Sequence, residues 1–123
     1  MHPTDKIIEF WTACLRKPVK STVGCGVVVD GLHSLLQDAV TASITEEQAN
    51  VFRWNLTEAV NDKLRKGLPI HIDVDYQPGP LLVNACMAAG IDGEWLFPTK
   101  TSTFIREGIA YVCKGYGARE EAL

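Results

Sequence analysis

The spacing of apolar residues changes at Pro69, and this change limits the possible folds more than any other feature of the chain. Before Pro69, apolar residues recur every three or four positions, as on one face of a helix. In the segment 70–76, apolar and polar residues alternate one by one, which predicts a strand with one apolar and one polar face. Helices followed by strands favour an α+β fold over a doubly wound parallel sheet, in which the two would alternate throughout.

Three helices are predicted in the first half of the chain. The first begins at Thr4 or Asp5 and ends before Pro18. The third starts at a capping box, in which Thr45 and Gln48 exchange side-chain and backbone hydrogen bonds, and it ends at Gly67. The second covers about residues 26–42 and carries an apolar stripe that should face the core, formed by Val28, Leu32, Leu35, Leu36, Ala39 and Val40.

The second half is predicted to contain strands and one short helix. The segment 77–80 is typical of a turn, and a helix should cover 80–89 and end at Gly90. Strands are expected at 98–106 and 109–116, joined by a hairpin at 106–108, and residues 118–123 should form a flexible tail. The predicted architecture is therefore a helical N-terminal half packed on a small three-stranded, mainly antiparallel sheet, with one further short helix.

Length and composition fit a single domain spanning residues 1–123. The chain is 46% hydrophobic, which excludes wholesale disorder, and its formal charge is −3. The local basic cluster of Lys63, Arg65 and Lys66 is too small to follow a nucleic-acid backbone. Apolar stretches fall short of the roughly 20 residues that cross a bilayer, and the N-terminus lacks a signal-peptide pattern. We expect a cytoplasmic protein that binds neither nucleic acid nor membrane directly.

The cysteines do not form a metal or redox motif. Cys14, Cys25, Cys86 and Cys113 are widely spaced and include no Cys-x-x-Cys pair. Buried thiols that fill gaps in a core are common in cytosolic proteins, so we expect these cysteines to be reduced. No cofactor is predicted.

The polar face of the first strand is the most chemically suggestive feature. His71, Asp73 and Asp75 should project from one side at intervals of roughly 6.6–7 Å, where they could hold Mg²⁺ or Mn²⁺ or divide acid and base roles in a metal-dependent enzyme. A half-buried antiparallel sheet also requires polar residues at alternate positions, without any activity. We favour this solvated face and keep the metal site as an alternative.

A second alternative is a small-molecule or nucleotide site at the carboxyl end of the first strand. Asp73 and Asp75 would offer carboxylates there, Lys100 an ammonium group, and the turn at Gly79 a close approach to the backbone. The turn lacks the glycine pattern of phosphate-binding loops, so the sequence does not specify the ligand.

Aromatic side chains exceed what one modest core readily holds, and some should lie on the surface. Aromatic residues and arginine are frequent anchors of protein interfaces. Trp95 and Phe97 either contact a partner or cap the open end of the core. The large rings in question are Trp11, Trp54, Trp95, Tyr111 and Tyr116. The candidate partner-binding residues are Arg53, Trp54, Trp95, Phe97 and Tyr116.

Three segments of the C-terminal half resemble a pattern in small phage and prophage accessory proteins. They are the segments 73–78 (Asp-Val-Asp-Tyr-Gln-Pro), 97–101 (Phe-Pro-Thr-Lys-Thr) and 115–118 (Gly-Tyr-Gly-Ala). The resemblance implies a compact product of a mobile element, a class in which many members bind and block a host factor. It assigns no active residue.

The sequence therefore predicts a small protein-binding module rather than an enzyme. The resemblance adds that it could be a phage-encoded inhibitor of a host defence or regulatory protein, comparable in action to an anti-CRISPR protein. A homodimer is compatible with this prediction, because the strand at 109–116 could lie at a sheet edge that needs a partner or a cover.

Overall fold

The computed structural model describes residues 2–17, 27–93, 96–115 and 118–123, and it confirms the α+β class. The predictions for the segment 18–26, for Trp95 and for Tyr116 concern residues outside these ranges. The elements are α1 (Pro3–Ala13), α2 (Val27–Ser43), α3 (Glu46–Arg65), β1 (His71–Val74), α4 (Pro80–Ala89), β2 (Thr101–Arg106), β3 (Ile109–Lys114) and β4 (Glu121–Ala122).

The helix ends follow local capping chemistry. The predicted capping box of α3 is confirmed, since the amide of Gln48 donates to Thr45 Oγ1 at 3.1 Å and the amide of Thr45 donates to Gln48 Oε1 at 2.9 Å. α4 starts at Pro80 and ends at Gly90, whose φ of 69° suits glycine. α1 starts earlier than expected, because His2 is its N-cap.

The predicted apolar stripe of α2 is wrong in part. Leu32 and Leu35 are 56% and 69% exposed, whereas the polar Gln37 is fully buried. Gln37 Nε2 donates to the carbonyl of Leu96 at 3.0 Å, and Val40 and Ile44 pack against the core beside it. α2 therefore meets the core along a face that includes Gln37 and Val40 but not Leu32 or Leu35, because a hydrogen bond to a buried carbonyl makes burial of the Gln37 amide favourable.

The sheet has four antiparallel strands in the order β1-β2-β3-β4, not three. β2 and β3 form the expected hairpin, whose turn residues Glu107 and Gly108 both have positive φ, as in a type I′ turn. The segment expected to be a flexible tail supplies the fourth strand. Its Ala122 pairs with Tyr111, and the amide of Leu123 donates to Ala110 at 2.9 Å. β3 is thus partly covered rather than an edge strand.

One face of the sheet packs on α1 and forms the core with the helices. Trp11 of α1 is fully buried, and its Nε1 donates to Thr103 Oγ1 at 2.8 Å. Phe97 lies between aromatic neighbours, with ring centroids 5.7 Å from Trp11 and 6.1 Å from Phe52. Trp11 is therefore a core residue and not a surface ring. The residues of this inner sheet face are Ile72, Val74, Thr101, Thr103, Ala110 and Val112.

Among the described helices, none combines the length and apolar character needed to cross a bilayer. The basic cluster at the end of α3 has a local role, since Asp62 forms ion pairs with Lys66 at 2.9 Å and with Arg65 at 3.6 Å. The hydrogen bond from Lys66 is the main cause that lowers the pKa of Asp62. These contacts tie the last turn of α3 together.

Candidate functional site

The face of the sheet opposite the core carries the main candidate surface. Directly opposed residues of an antiparallel sheet project to the same side, so the register defines three rows on this side. The rows are His71–Phe104–Tyr111–Ala122, Asp73–Ser102–Cys113 and Arg106–Ile109. We call these residues the open sheet face. His71, Asp73 and Arg106 on it are exposed, and Ile109 is 47% exposed.

Aromatic rings form a continuous row across this face. Phe104 and Tyr111 are stacked with ring centroids 5.6 Å apart, and the ring of His71 meets Phe104 edge-on at 6.3 Å. The guanidinium carbon of Arg106 lies 4.8 Å from the ring centre of Tyr111 and 5.7 Å from that of Phe104. The face therefore presents three rings and a cation held against two of them.

Glu120 forms an ion pair with this cation. Its Oε2 accepts from Arg106 Nη2 at 2.8 Å. The hydrogen bond to Glu120, followed by the one to Tyr111, raises the pKa of Arg106 above its ordinary value. The charged guanidinium therefore lies between Glu120 and the rings of Phe104 and Tyr111. A planar guanidinium held against aromatic rings loses less side-chain freedom when it binds a partner.

A polar groove of about 330 Å³ lies at the other end of the same face. The backbone of Lys100 connects two sides of this groove, and Lys100 has the uncommon positive φ of 55°. The amide of Lys100 donates to the carbonyl of Asp75 at 2.8 Å, and its carbonyl accepts from the amide of Gly115 at 2.7 Å. Parts of the segments 73–78, 97–101 and 115–118 thus meet here. The groove is lined by His71, Asp73, Val74, Asp75, Lys100, Thr101, Ser102, Cys113 and Gly115.

Three of the four predicted ligand-binding residues line this groove: Asp73, Asp75 and Lys100. Gly79 instead lies beside β1, because its amide donates to the carbonyl of Asp73 at 3.0 Å. A Cβ at position 79 would come within 3.0 Å of that carbonyl oxygen. Lys100 Nζ lies 5.0 Å from the ring centre of Tyr76, which adds an exposed aromatic group to the rim.

The metal alternative gains no support from the geometry. Among the described residues, no group of three or more His, Cys, Asp or Glu side chains is arranged to hold a metal ion. His71 and Asp73 share the open sheet face, but the ring of His71 is in contact with Phe104.

The predicted partner-binding residues are dispersed. Trp54 lies on α3 and is 66% exposed, and the neighbouring Arg53 donates through Nη2 to Glu9 Oε2 at 3.1 Å. Phe97 is 2% exposed and belongs to the core, so it offers no surface to a partner. Trp95 and Tyr116 lie outside the part of the chain that the structure describes.

Sequence reasoning missed the partners that make Tyr111 part of a larger surface. The sequence pattern indicates only that strands and a hairpin contain Phe104, Arg106 and Ile109. The alternation along 101–106 could have placed residues 102, 104 and 106 on one side, but only the register brings them beside Tyr111.

A second cavity, of about 300 Å³, lies beside α4 and contains Cys86 on its wall. Cys86 is 2% exposed, and burial, followed by the charge of Asp92, raises the pKa of its thiol to about 12. The thiol is therefore protonated at neutral pH and is a poor nucleophile. Within the described residues, Cys86 and Cys113 form no disulfide.

No protein-family model and no curated protein matches this sequence. The interpretation of the open sheet face therefore rests on its own geometry.

Proposed function

We propose that this chain is a protein-binding module and that the open sheet face is its contact surface. The observation that carries the proposal is the continuous contact of Phe104, Tyr111 and Arg106 on the solvent side of the sheet. Tyrosine and arginine are enriched among the residues that dominate binding energy at protein interfaces. Both side chains are already oriented here, which reduces the entropy lost on association.

The size of the surface indicates how far the contact extends. β2 and β3 have six residues each, β1 has four and β4 has two. At about 4.8 Å between strands and about 3.3 Å per residue, these strands give a face of about 300 Å². A stable specific interface uses about 800 Å² on each partner. The proposed contact therefore includes the rim of the polar groove, where Tyr76 and Lys100 lie. The aromatic row forms its apolar centre, and the groove forms its polar edge.

We further propose that binding is stoichiometric and that the partner is a bacterial defence or regulatory protein, inhibited by a phage-encoded product. The support for this finer proposal is the resemblance of the segments 73–78, 97–101 and 115–118 to phage accessory proteins. Parts of these segments lie at the polar groove next to the aromatic row. The sites of resemblance and of proposed contact are thus adjacent.

Affinity capture from a bacterial lysate tests the proposal with matched variants. Tyr111→Ser and Ile109→Asp alter the centre and edge of the open sheet face, and Glu58→Gln alters an exposed position on α3. We expect wild type and Glu58→Gln to retain the same protein in a fixed ratio. Each sheet variant should reduce its capture at least about tenfold, as loss of one interface anchor does.

A protein retained equally by all four chains would contradict the open sheet face as the contact surface. Thermal unfolding of each variant, measured in parallel, separates loss of binding from loss of fold. Sedimentation of wild type alone measures self-association through the same face.

A second candidate function is favoured by one observation: Asp73, Asp75 and Lys100 line one groove. A small polar ligand could use the carboxylates as acceptors and the ammonium group as a donor. A ligand at 100 times its dissociation constant stabilises a fold by about 2.7 kcal/mol, which thermal unfolding detects. A sugar or nucleotide that raises Tm in wild type but not in Asp73→Asn would support this candidate, and no shift across both classes would contradict it.

A further inference from the structure

A small cavity on the other side of the molecule concentrates positive charge. It has a volume of about 170 Å³ and lies between the end of α1 and the middle of α3. Three cations and one carboxylate are on its wall, although the chain as a whole carries a net charge of −3. Its lining residues are Glu9, Thr12, Ala13, Arg16, Lys17 and Arg53.

Arg53 uses only part of its hydrogen-bonding capacity in this cavity. Its Nη2 donates to Glu9 Oε2 at 3.1 Å. Its Nε is buried and has no hydrogen-bond partner among the described residues. A guanidinium group binds oxyanions most favourably through two parallel N–H donors. An oxyanion that accepts from both Nε and one Nη of Arg53 would give the buried Nε–H a hydrogen-bond acceptor.

The other two cations can also turn toward a bound group. Arg16 pairs with Glu46 at 2.6 Å, but this pair lies at the surface, where such contacts contribute little free energy. Lys17 forms no ion pair with any described residue. Glu9 is 45% exposed, so its carboxylate can move into solvent when a stronger acceptor takes its place on Arg53.

We propose that this cavity binds a single phosphate-type oxyanion. Arg53 supplies the paired donors, and Arg16 and Lys17 supply charge from the end of α1. The volume accommodates one such group. The site shares no residue with the open sheet face. The oxyanion is either free phosphate or the phosphoryl group of a small molecule.

Titration with inorganic phosphate and, separately, with phenyl phosphate tests the proposal at constant ionic strength maintained with chloride. Two-dimensional NMR follows the Nε–H resonance of Arg53 and the backbone amides of Arg16 and Lys17. We expect saturable shifts confined to this cavity. Equal affinity for the two probes identifies free phosphate as a sufficient ligand, and tighter binding of phenyl phosphate identifies a phosphorylated molecule.

Variants separate a built site from general attraction to positive charge. Arg53→Lys keeps the charge but removes the paired donors, and it should weaken binding at least about tenfold. Lys17→Gln should weaken binding several-fold, whereas Lys63→Gln, the same change near the end of α3, should have no effect. Equal weakening by both glutamine variants, or the same shifts with chloride alone, would overturn the proposal. Thermal unfolding of Arg53→Lys checks that the fold is intact.

Discussion

The single hydrogen bond between Trp11 and Thr103 connects α1 to the centre of the sheet. Trp11 Nε1 donates to Thr103 Oγ1, which in turn donates to the carbonyl of Ile72 at 3.2 Å. Both side chains are buried, so removal of one partner leaves the other without compensation for its lost hydration. The pair fixes the position of α1 on the sheet.

A double-mutant cycle of Trp11→Phe and Thr103→Val should therefore show coupling. We expect each variant to lower the free energy of unfolding by about 1–3 kcal/mol and the pair to show a coupling of about 1 kcal/mol. Urea denaturation of the four chains measures these values. Strictly additive effects would mean that the hydrogen bond does not stabilise the native state.

Cys86 gives the fold a specific sensitivity to alkaline pH. Its thiol has a pKa of about 12 in the folded chain, against an ordinary value of 9.0. Between these values the folded chain keeps a proton that the unfolded chain releases, so stability falls as pH rises. The stability contributed by the thiol is fully present below pH 9.

The comparison of wild type with Cys86→Ala isolates this effect. Between pH 8 and pH 10.5, the free energy of unfolding of wild type should fall by about 2 kcal/mol relative to that of the alanine variant. Chemical denaturation at a series of pH values gives the difference, and Cys113→Ala serves as the matched control. If the free energies of unfolding of wild type and Cys86→Ala change in parallel with pH, the raised pKa of the Cys86 thiol is contradicted.

At the residue scale, the sequence gives the type of each side chain but not whether that side chain is buried or exposed. The helical spacing of Trp11 and its apolar neighbours predicts that Trp11 faces the core. The number of large aromatic rings predicts that some of these rings are exposed. Phe97 had two interpretations, partner contact or a cap on the core, and its ring contacts with Trp11 and Phe52 assign it to the core. Contacts between residues more than 40 positions apart decide both cases, and local periodicity contains no information about them.

Among the elements, α3 is the best specified by sequence. Its capping box, apolar stripe and terminal glycine are all local signals, and the structure confirms the helix at Glu46–Arg65. α2 is specified less well, because the helix cannot bury both the side with Leu32 and Leu35 and the side with Gln37. In the structure the polar Gln37 is buried, and the two leucines are exposed. Apolar periodicity favours the stripe, whereas the buried carbonyl of Leu96 accepts from Gln37 and stabilises the other orientation.

The capping box gives a prediction for the start of α3. Thr45→Ala removes the acceptor for the amide of Gln48 and should lower the free energy of unfolding by about 1 kcal/mol. Ser43→Ala, two positions earlier, removes an exposed hydroxyl and should change it by less than about 0.5 kcal/mol. Urea denaturation compares the two, and equal effects would contradict the capping role.

β4 was missed because its sequence has no strand signal of its own. Residues 121–122 are polar or small, and their pairing depends on β3. The ion pair of Arg106 with Glu120 and the pairing of Tyr111 with Ala122 place this segment beside the aromatic row. The segment expected to be flexible therefore helps to position the candidate contact surface.

At the scale of the whole molecule, the fold separates a helical side from an exposed sheet. α1 packs on the inner face of the sheet, and α3 packs on α1 and α4. On the open sheet face, His71, Asp73, Arg106 and Ile109 are exposed in the part of the chain that the structure describes. The alternation after Pro69 predicted that one face would be polar. It could not predict that β2 and β3 add Phe104, Tyr111 and Arg106 to that face, because strand register depends on the hairpin.

Site-specific photo-crosslinking in a bacterial lysate tests the central claim most directly. Ile109→p-benzoylphenylalanine places the reactive group on the open sheet face, and Trp54→p-benzoylphenylalanine places it on the exposed side of α3. We predict a covalent adduct with one other protein from position 109 and none from position 54. An adduct from position 54 alone, or an adduct at position 109 that contains only a second copy of this chain, would contradict the account.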